Sequence, residues 1–468
     1  MERHGRGTAL LVAGTFFMEN LDGTILTTAV PSIARSFGDS AAAIGTAITA
    51  YLVTLAVLIP LSGWLTERFG ARRVLLTAIV VFTLASALCA AAPGLPALIG
   101  ARVLQGVGGA LMVPVGRLVV LRETAKADLV RVVALLTWPA LAAPVIAPLL
   151  GGLLASTLGW RWIFLVNLPL GVVAVLAARR LVRGGPAESV PRLDVSGLLL
   201  VCVSVAAVTA LGSVLSAPDV LWPLAAVLGV VGFGTGAIAV RHLTSSSRPL
   251  LALSALRIGS FRIAHAGGSA FRLAVNAVPF LLPLLFQVGF GWSPVEAGAL
   301  VLLLFAGNLG IKPVTTPLLT RFGFRPVLVL ATVCSVAAAV MNAFLTASTP
   351  LVLIGLVLLF GGAARSVGFT AYNTVAFADV PSAGMTDANT LASTVQQIAA
   401  GLGVAVGAVA LRAGTAVAGP GGGLLPYRIA FLVIAAILAI AAVESLVAPG
   451  ALGERIRPRR AVQAPGRG

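Results

Sequence analysis

Two carboxylates, Glu19 and Asp22, lie inside the first hydrophobic run of this chain, FFMENLDGTILTTAVPSI. Three residues apart, they share one face of a helix. An ionisable side chain in a bilayer is costly, and by default it marks an ion pathway, a proton relay or a counter-charge for a substrate. Almost every other acid falls near a predicted water interface. Four cations are embedded in the same way: Arg102, Arg272, Lys312 and Arg365. Asp22 lies about nine residues from the outer end of its run and Arg102 about six from the outer end of its own, so at about 1.5 Å per residue their depths agree within one turn. A carboxylate beside an arginine stays charged, and when that partner moves away burial favours protonation. The pair therefore suits either a reversible proton site or a static lock between two helices. Glu19, one turn deeper, suits a cavity wall that attracts cationic amphipathic molecules, or a second proton site.

The elements that must carry these charges are membrane helices. The chain has 468 residues, of which 59% are hydrophobic and only 10% charged, with a mean hydropathy of +1.04. Soluble proteins are about 25% charged. Fourteen apolar runs of about 20 residues are each long enough to cross a bilayer. They cover 9–31, 43–65, 74–92, 96–117, 132–154, 163–181, 195–216, 220–240, 263–288, 296–318, 327–346, 350–374, 390–411 and 427–448. The predicted class is an all-α integral membrane protein of about 14 spans, multi-pass in the inner or plasma membrane, with no soluble domain. The first run has no A-x-A site and carries two acids, so it reads as retained.

A net charge of +17 would suit nucleic acid if it formed one patch, but the arginines alternate between loops, so no nucleic-acid partner is expected. On this map 24 of the 32 basic residues fall at the amino terminus, the even-numbered turns or the carboxyl tail. The positive-inside rule then puts both termini in the cytoplasm. Trp160, Trp162, Trp222 and Trp292 fall at the outer interface, where tryptophan anchors sit. Cys89, Cys202 and Cys334 are scattered through apolar runs, which excludes a disulfide framework and a thiolate metal site.

The chain also repeats itself. TERFGARRVL at 66–75 matches LTRFGFRPVL at 319–328, a shift of 253 residues. The same shift aligns SFGDS at 36–40 with GFGWS at 289–293, and Gly108, Gly109 and Ala110 with Gly361, Gly362 and Ala363. The ninth span therefore repeats the first, giving a 6+2+6 order. The expected units are an N-terminal six-helix bundle (1–185), two inserted helices (186–250), a C-terminal six-helix bundle (251–450) and a basic tail (451–468). Two parallel repeats around a central cavity describe a secondary transporter. The inserted pair carries no embedded charge, which favours a lipid-facing or spacer role. In the repeat register Glu19 corresponds to Arg272, a candidate counter-charge across the cavity, with Asn276 one turn further on.

These features resemble the major facilitator superfamily, and within it the fourteen-span drug:proton antiporter branch. Leu21 to Pro31, LDGTILTTAVP, resembles the branch signature LDxTIxNxALP, with Thr27 for Asn and Val30 for Leu. Gly63, Glu67, Arg68, Gly70 and Arg72 follow the superfamily's loop motif after the second span, with Glu67 for the usual Asp; the resemblance implies a gating role. Arg102-Val-Leu-Gln105-Gly106-Val-Gly108-Gly109 is similar to the RxxQGxGxA proton-coupling motif, implying that Arg102 tunes a proton carried by Asp22; the branch signature requires no acid at Glu19, which is the alternative proton site. Ala147-Pro148-Leu-Leu-Gly151-Gly152, with Pro144 before it, resembles the antiporter motif GPxxGG, with Ala147 for Gly. RVLQGVGGALMVPVGR is similar to a bacterial subgroup of multidrug exporters. The resemblance implies a monomeric exchanger of protons for hydrophobic or amphipathic small molecules, with no cofactor.

The remaining candidates have local readings of their own. Lys312 and Arg365 suit an anionic or zwitterionic substrate, or, for Lys312, a snorkelling side chain. Trp138 and Gln396 suit cavity contacts as well as packing. Pro139, Pro144 and Pro148 suit a bend or packing seam in the fifth span. His265 reads as a packed helix residue. No GxxxxGK[ST], HExxH or nucleophile-elbow pattern occurs, so neither an enzyme nor a nucleotide-driven pump is expected. An uptake symporter and a non-transporting sensor or scaffold are the alternatives.

Overall fold

The computed structural model describes residues 3–39, 41–183, 193–216, 220–247, 249–419, 422–449 and 452. Among them no strand occurs, as a bilayer demands of an open chain: a helix satisfies its backbone groups internally. The first eight helices are α1 (Arg3–Phe37), α2 (Ala41–Leu58), α3 (Ser62–Phe69), α4 (Ala71–Ala91), α5 (Leu95–Glu123), α6 (Leu129–Thr157), α7 (Trp162–Leu165) and α8 (Asn167–Leu181). An inserted pair, α9 (Val195–Ser216) and α10 (Trp222–Ser245), follows. The chain continues with α11 (Gly259–His265), α12 (Gly267–Leu284), α13 (Pro294–Gly310), α14 (Lys312–Phe322), α15 (Phe324–Ala343), α16 (Leu351–Val375), α17 (Met385–Ala418) and α18 (Leu425–Val447).

Each of the fourteen apolar runs falls on one or more of these helices. Twelve spans, or thirteen when α13 and α14 are joined across their 44° bend, are long and apolar enough to cross a membrane. α6 is one helix, but its qualifying apolar stretches are the shorter Leu129–Pro139 and Val145–Thr157. The side chains of Pro144 and Pro148, and the tail 453–468, lie outside the described residues. A 3-10 turn at Ile59–Leu61, holding Pro60, separates α2 from α3.

The repeat is visible in the backbone. Gly38 and Gly291 take φ of 71° and 74°, and Gly70 and Gly323 take 83° and 86°. Both pairs are 253 residues apart and sit in a region that side chains with a Cβ rarely adopt. Arg72 Nη2 donates to the Arg179 carbonyl near the end of α8 at 2.7 Å, and Arg325 Nη2 donates to the Leu446 carbonyl near the end of α18 at 2.7 Å. The same arginine thus ties each repeat's third rod to its last.

The inserted pair is more than a spacer. α9 packs on α2 and on α17, one helix from each repeat, and α10 packs behind it. Ala56 of α2 joins Val201 and Val205 in one apolar cluster, and a Cβ on Gly212 would stand 3.0 Å from the Gly401 carbonyl oxygen of α17. Its base is pinned by Asp194, whose carboxylate faces His242 Nε2 at 2.9 Å and accepts the Gly197 and Leu250 amides at 2.8 and 3.2 Å. Burial alone would raise the Asp194 carboxyl, but those contacts outweigh it and hold it below the usual range. Trp162 and Trp222 are exposed as interface anchors are, whereas Trp160 is buried edge-on against Phe37 and Phe164.

Candidate functional site

α5 reaches the centre of the first repeat because glycines thin its face. A Cβ on Gly106 would stand 2.8 Å from Thr54 Cβ of α2, and one on Gly108 would stand 2.6 Å from the Phe82 amide nitrogen of α4. This close approach brings Arg102 and Gln105, one turn apart, against Asp22 of α1. Arg102 Nη1 donates to Asp22 Oδ2 at 2.5 Å and to Gln105 Oε1 at 2.7 Å. Gln105 Nε2 donates to Asp22 Oδ1 at 2.8 Å and to Ser86 Oγ at 2.8 Å, and Asn167 Nδ2 of α8 adds a bond to Asp22 Oδ1 at 3.0 Å. The guanidinium lies 4.1 Å over the Tyr51 ring, a cation–π contact. Asp22 is 1% exposed and Arg102 fully buried.

The depth argument from sequence thus becomes a direct contact, and it undersells the site. Asp22 is held by three side chains, of which Asn167 and Ser86-bound Gln105 were legible only as parts of longer motifs. Both oxygens of this carboxylate are hydrogen-bonded, and the group is shut from water.

One turn away is a cavity of about 500 Å³ between the repeats. Glu19, Asn276, Arg365 and Gln396 line it, as expected, together with Asn20, Thr24, Asn308, Asn373, Gln397 and the rings of Phe16, Phe305, Phe369 and Phe377. Asp22 does not reach it. Three expected wall residues are elsewhere. Arg272 is 2% exposed, and its Nη1 and Nη2 donate to the Ala264 carbonyl and Asn373 Oδ1, both at 2.9 Å. Lys312 is buried and donates to Thr370 Oγ1 at 2.7 Å. Trp138 is 47% exposed and outside the lining. Glu19 does not pair with Arg272 either: its Oε2 accepts from Asn20 Nδ2 at 2.9 Å. Arg272 reaches the wall only through Asn373, which also accepts from Gln396 Nε2 at 2.7 Å.

The residue that sequence reasoning missed is Arg117. On the boundaries above it closes the fourth run and counts as interfacial, but α5 continues to Glu123. Leu118 to Leu121, all buried, were the signal that the span had not ended. Arg117 lines the cavity and crosses to α17, donating to Asn389 Oδ1 at 2.8 Å, Gln396 Oε1 at 3.1 Å and Ser393 Oγ at 2.5 Å. Below it, Asn389 Nδ2 donates to the Pro114 carbonyl at 2.9 Å, Arg122 donates to Thr386, and Lys126 Nζ donates to the Ala378 carbonyl at 3.1 Å. The repeats are laced together at this end.

The loop motif sits beside the lacing. Gly63 is buried where a Cβ would stand 2.5 Å from Thr390 Oγ1 of α17. Glu67 shares the wall of a second cavity, of about 410 Å³, with Arg122 and Lys126. Arg68 is exposed, Gly70 makes the turn into α4, and Arg72 makes the tie to α8 already described. In α6, Gly151 is buried and Gly152 exposed. His265 is packed as expected, stacked on Phe261 at 4.0 Å. No cluster of three metal-ligating side chains occurs among the described residues.

The sequence model of the Major Facilitator Superfamily matches residues 12–404. The chain is 36% identical over 413 residues to the MdtD protein of Serratia proteamaculans, named for multidrug resistance, covering 85% of this chain and 83% of that one. It is 36% identical over 405 residues to the protein of the same name from Escherichia coli O7:K1, covering 86% and 85%. The fold is similar to that of the human organic anion transporter MFSD10, with a TM-score of 0.67 at 16% identity over 94% of this chain and 99% of that one. It is equally similar to the proton:xylose symporter XylE, with a TM-score of 0.67 at 15% identity over 96% and 97%. With its dozen or more apolar helices this is a multi-pass inner-membrane protein, and the chain belongs to the major facilitator superfamily.

Proposed function

We propose that the chain is a proton-coupled antiporter that exports hydrophobic or amphipathic small molecules by alternating access. In this reading α6 is a further span, giving fourteen in a 6+2+6 order. The units are the bundles 1–185 and 251–450, the inserted pair within 186–250 and a basic tail from 451, with both termini cytoplasmic and one chain sufficient. The relatives named for multidrug resistance support export of a broad class of compounds. The positive-inside rule puts the laced end, with Arg117, Arg122 and Lys126, at the cytoplasm, so this conformation is closed toward the cytoplasm. The loop motif from Gly63 to Arg72 then works the cytoplasmic gate, and the antiporter motif of Pro144, Pro148, Gly151 and Gly152 is a bend or packing seam that shapes the gate.

The observation that carries the proposal is Asp22, hydrogen-bonded at both oxygens and sealed in the first repeat, one turn from Glu19 in the cavity wall. Rearrangement of α5 against α1 withdraws Arg102 and Gln105 and makes protonation of Asp22 favourable; reversal expels the proton. Glu19 connects this cycle to whatever occupies the cavity.

The test uses inverted membrane vesicles energised with a pH gradient. Export substrates should dissipate the gradient on addition, and Asp22→Asn should abolish that response while leaving the protein folded. A variant that still exchanges protons for substrate at the wild-type rate would sink the assignment of Asp22.

A further inference from the structure

On the exporter reading above, we infer that the cavity accepts amphipathic anions and that Arg365 is the residue that recognises their negative group. Three charged side chains line the cavity, Glu19, Arg117 and Arg365. Two of them already have partners. Arg117 is spent on three acceptors of α17, and Glu19 accepts from Asn20. Arg365 of α16 makes no hydrogen bond and no ion pair among the described residues; of its three nitrogens Nη1 alone is closed off from solvent, which leaves Nε and Nη2 within a ligand's reach. A guanidinium at membrane depth with its donors unmet is costly, and a carboxylate, sulfonate or phosphate bound across its fork offsets that cost.

The surroundings fit such a ligand. Asn308 of the facing helix α13 also lines the cavity and adds a polar group to that part of the wall. Phe305 and Phe369 supply an apolar wall beside it. A space of about 500 Å³ suits a drug-sized body with one polar end. Asp22 is sealed away from the cavity and paired with Arg102, which leaves Glu19 as the one carboxylate in the lining. Glu19 alone faces two guanidinium groups, so the lining is net positive when all three are charged.

The test uses the purified full-length protein in nanodiscs and three probes with one body: 1-naphthaleneacetic acid, its amide, and 1-(1-naphthyl)ethylamine. Calorimetric titration should show the acid binding about tenfold or more tighter than the amide, the factor expected for one charge-assisted contact, with the amine weakest. Arg365→Gln should erase the advantage of the acid while weakening the amide far less, with an unchanged melting temperature certifying the fold; Arg365→Lys should retain part of the advantage. Preference for the amine, or an acid preference that survives Arg365→Gln, overturns the inference. The same acid is then followed in proteoliposomes under an imposed pH gradient. Selective binding without gradient-driven movement would uphold the anion site and defeat the exporter reading instead.

Discussion

The two repeats are built on one frame and carry different chemistry. Gly38 and Gly291, Gly70 and Gly323, and Arg72 and Arg325 do the same work 253 residues apart. Even close packing carries over. In the first repeat Gly106 of α5 meets Thr54 of α2, and in the second the equivalent contact joins Leu359 of α16 to Gly307 of α13, with the glycine on the other helix. The polar cluster does not carry over. Where the first repeat has Asp22, Ser86, Arg102 and Gln105, the second has Val275, Ala339, Gly355 and Leu358. Its own embedded charges, Arg272, Lys312 and Arg365, are all cations, set against neutral partners or none. A duplicated scaffold has thus been divided into a half that holds a buried carboxylate–guanidinium pair and a half whose embedded charges are all cationic.

The largest effect should come from breaking the ion pair in the first half. Arg102→Ala leaves Asp22 buried and short of its main partner, and should cost about 3–5 kcal/mol, the usual penalty for orphaning half of a buried pair. Arg365→Ala removes a charge that has no protein partner among the described residues, so thermal unfolding in detergent should hardly change. Equal losses from the two would erase the distinction between a paired half and an unpaired one.

A second contrast tests the frame itself. Gly109 and Gly362 occupy the same position of the repeat. A Cβ on Gly362 would stand 1.9 Å from the Leu304 carbonyl oxygen, a backbone atom that cannot move without parting α13 from α16. On Gly109 it would meet the Tyr51 hydroxyl at 3.2 Å, the tip of a side chain that can shift. Gly362→Ala should therefore cost about 2–3 kcal/mol and Gly109→Ala less than about 1 kcal/mol, as overpacking against a rigid or a yielding neighbour does. Melting curves of the two variants read this directly, and the reverse order would show that the second half is the looser of the two.

How much of this was legible in the sequence depends on what the signal was. Helices, the repeat and the Asp22–Arg102 contact follow from hydropathy, from one ungapped register and from counting residues down each span, because depth in a bilayer is a one-dimensional quantity. What lies around a helix is not. Arg272 and Lys312 sit at depths consistent with the cavity, but rotation about their axes turns them to Asn373, Ala264 and Thr370. Arg117 was hidden by a boundary drawn at the arginine itself, and the acceptors that hold it lie on α17, remote in sequence. Pairing Glu19 with Arg272 relied on the repeat register, which relates positions and not side-chain directions.

The smallest effect should come from the arginines that the repeats share. Arg72 and Arg325 each donate to a carbonyl near the end of the last helix of their own bundle, at the same 2.7 Å, and each does so at an exposed site. Water competes for both partners there, so either alanine substitution should lower stability by only about 0.5–1 kcal/mol, the net worth of one hydrogen bond. As structural ties the two should be interchangeable in size. Transport distinguishes them, because Arg72 belongs to the motif whose Gly63 packs on Thr390 and whose Glu67 faces Arg122 and Lys126 across the second cavity. If the motif works the gate, Arg72→Ala should slow export several-fold more than Arg325→Ala at matched melting temperatures. Equal slowing would reduce Arg72 to a strut like its counterpart, and the division of labour between the repeats would then rest on Asp22 and Arg102 alone.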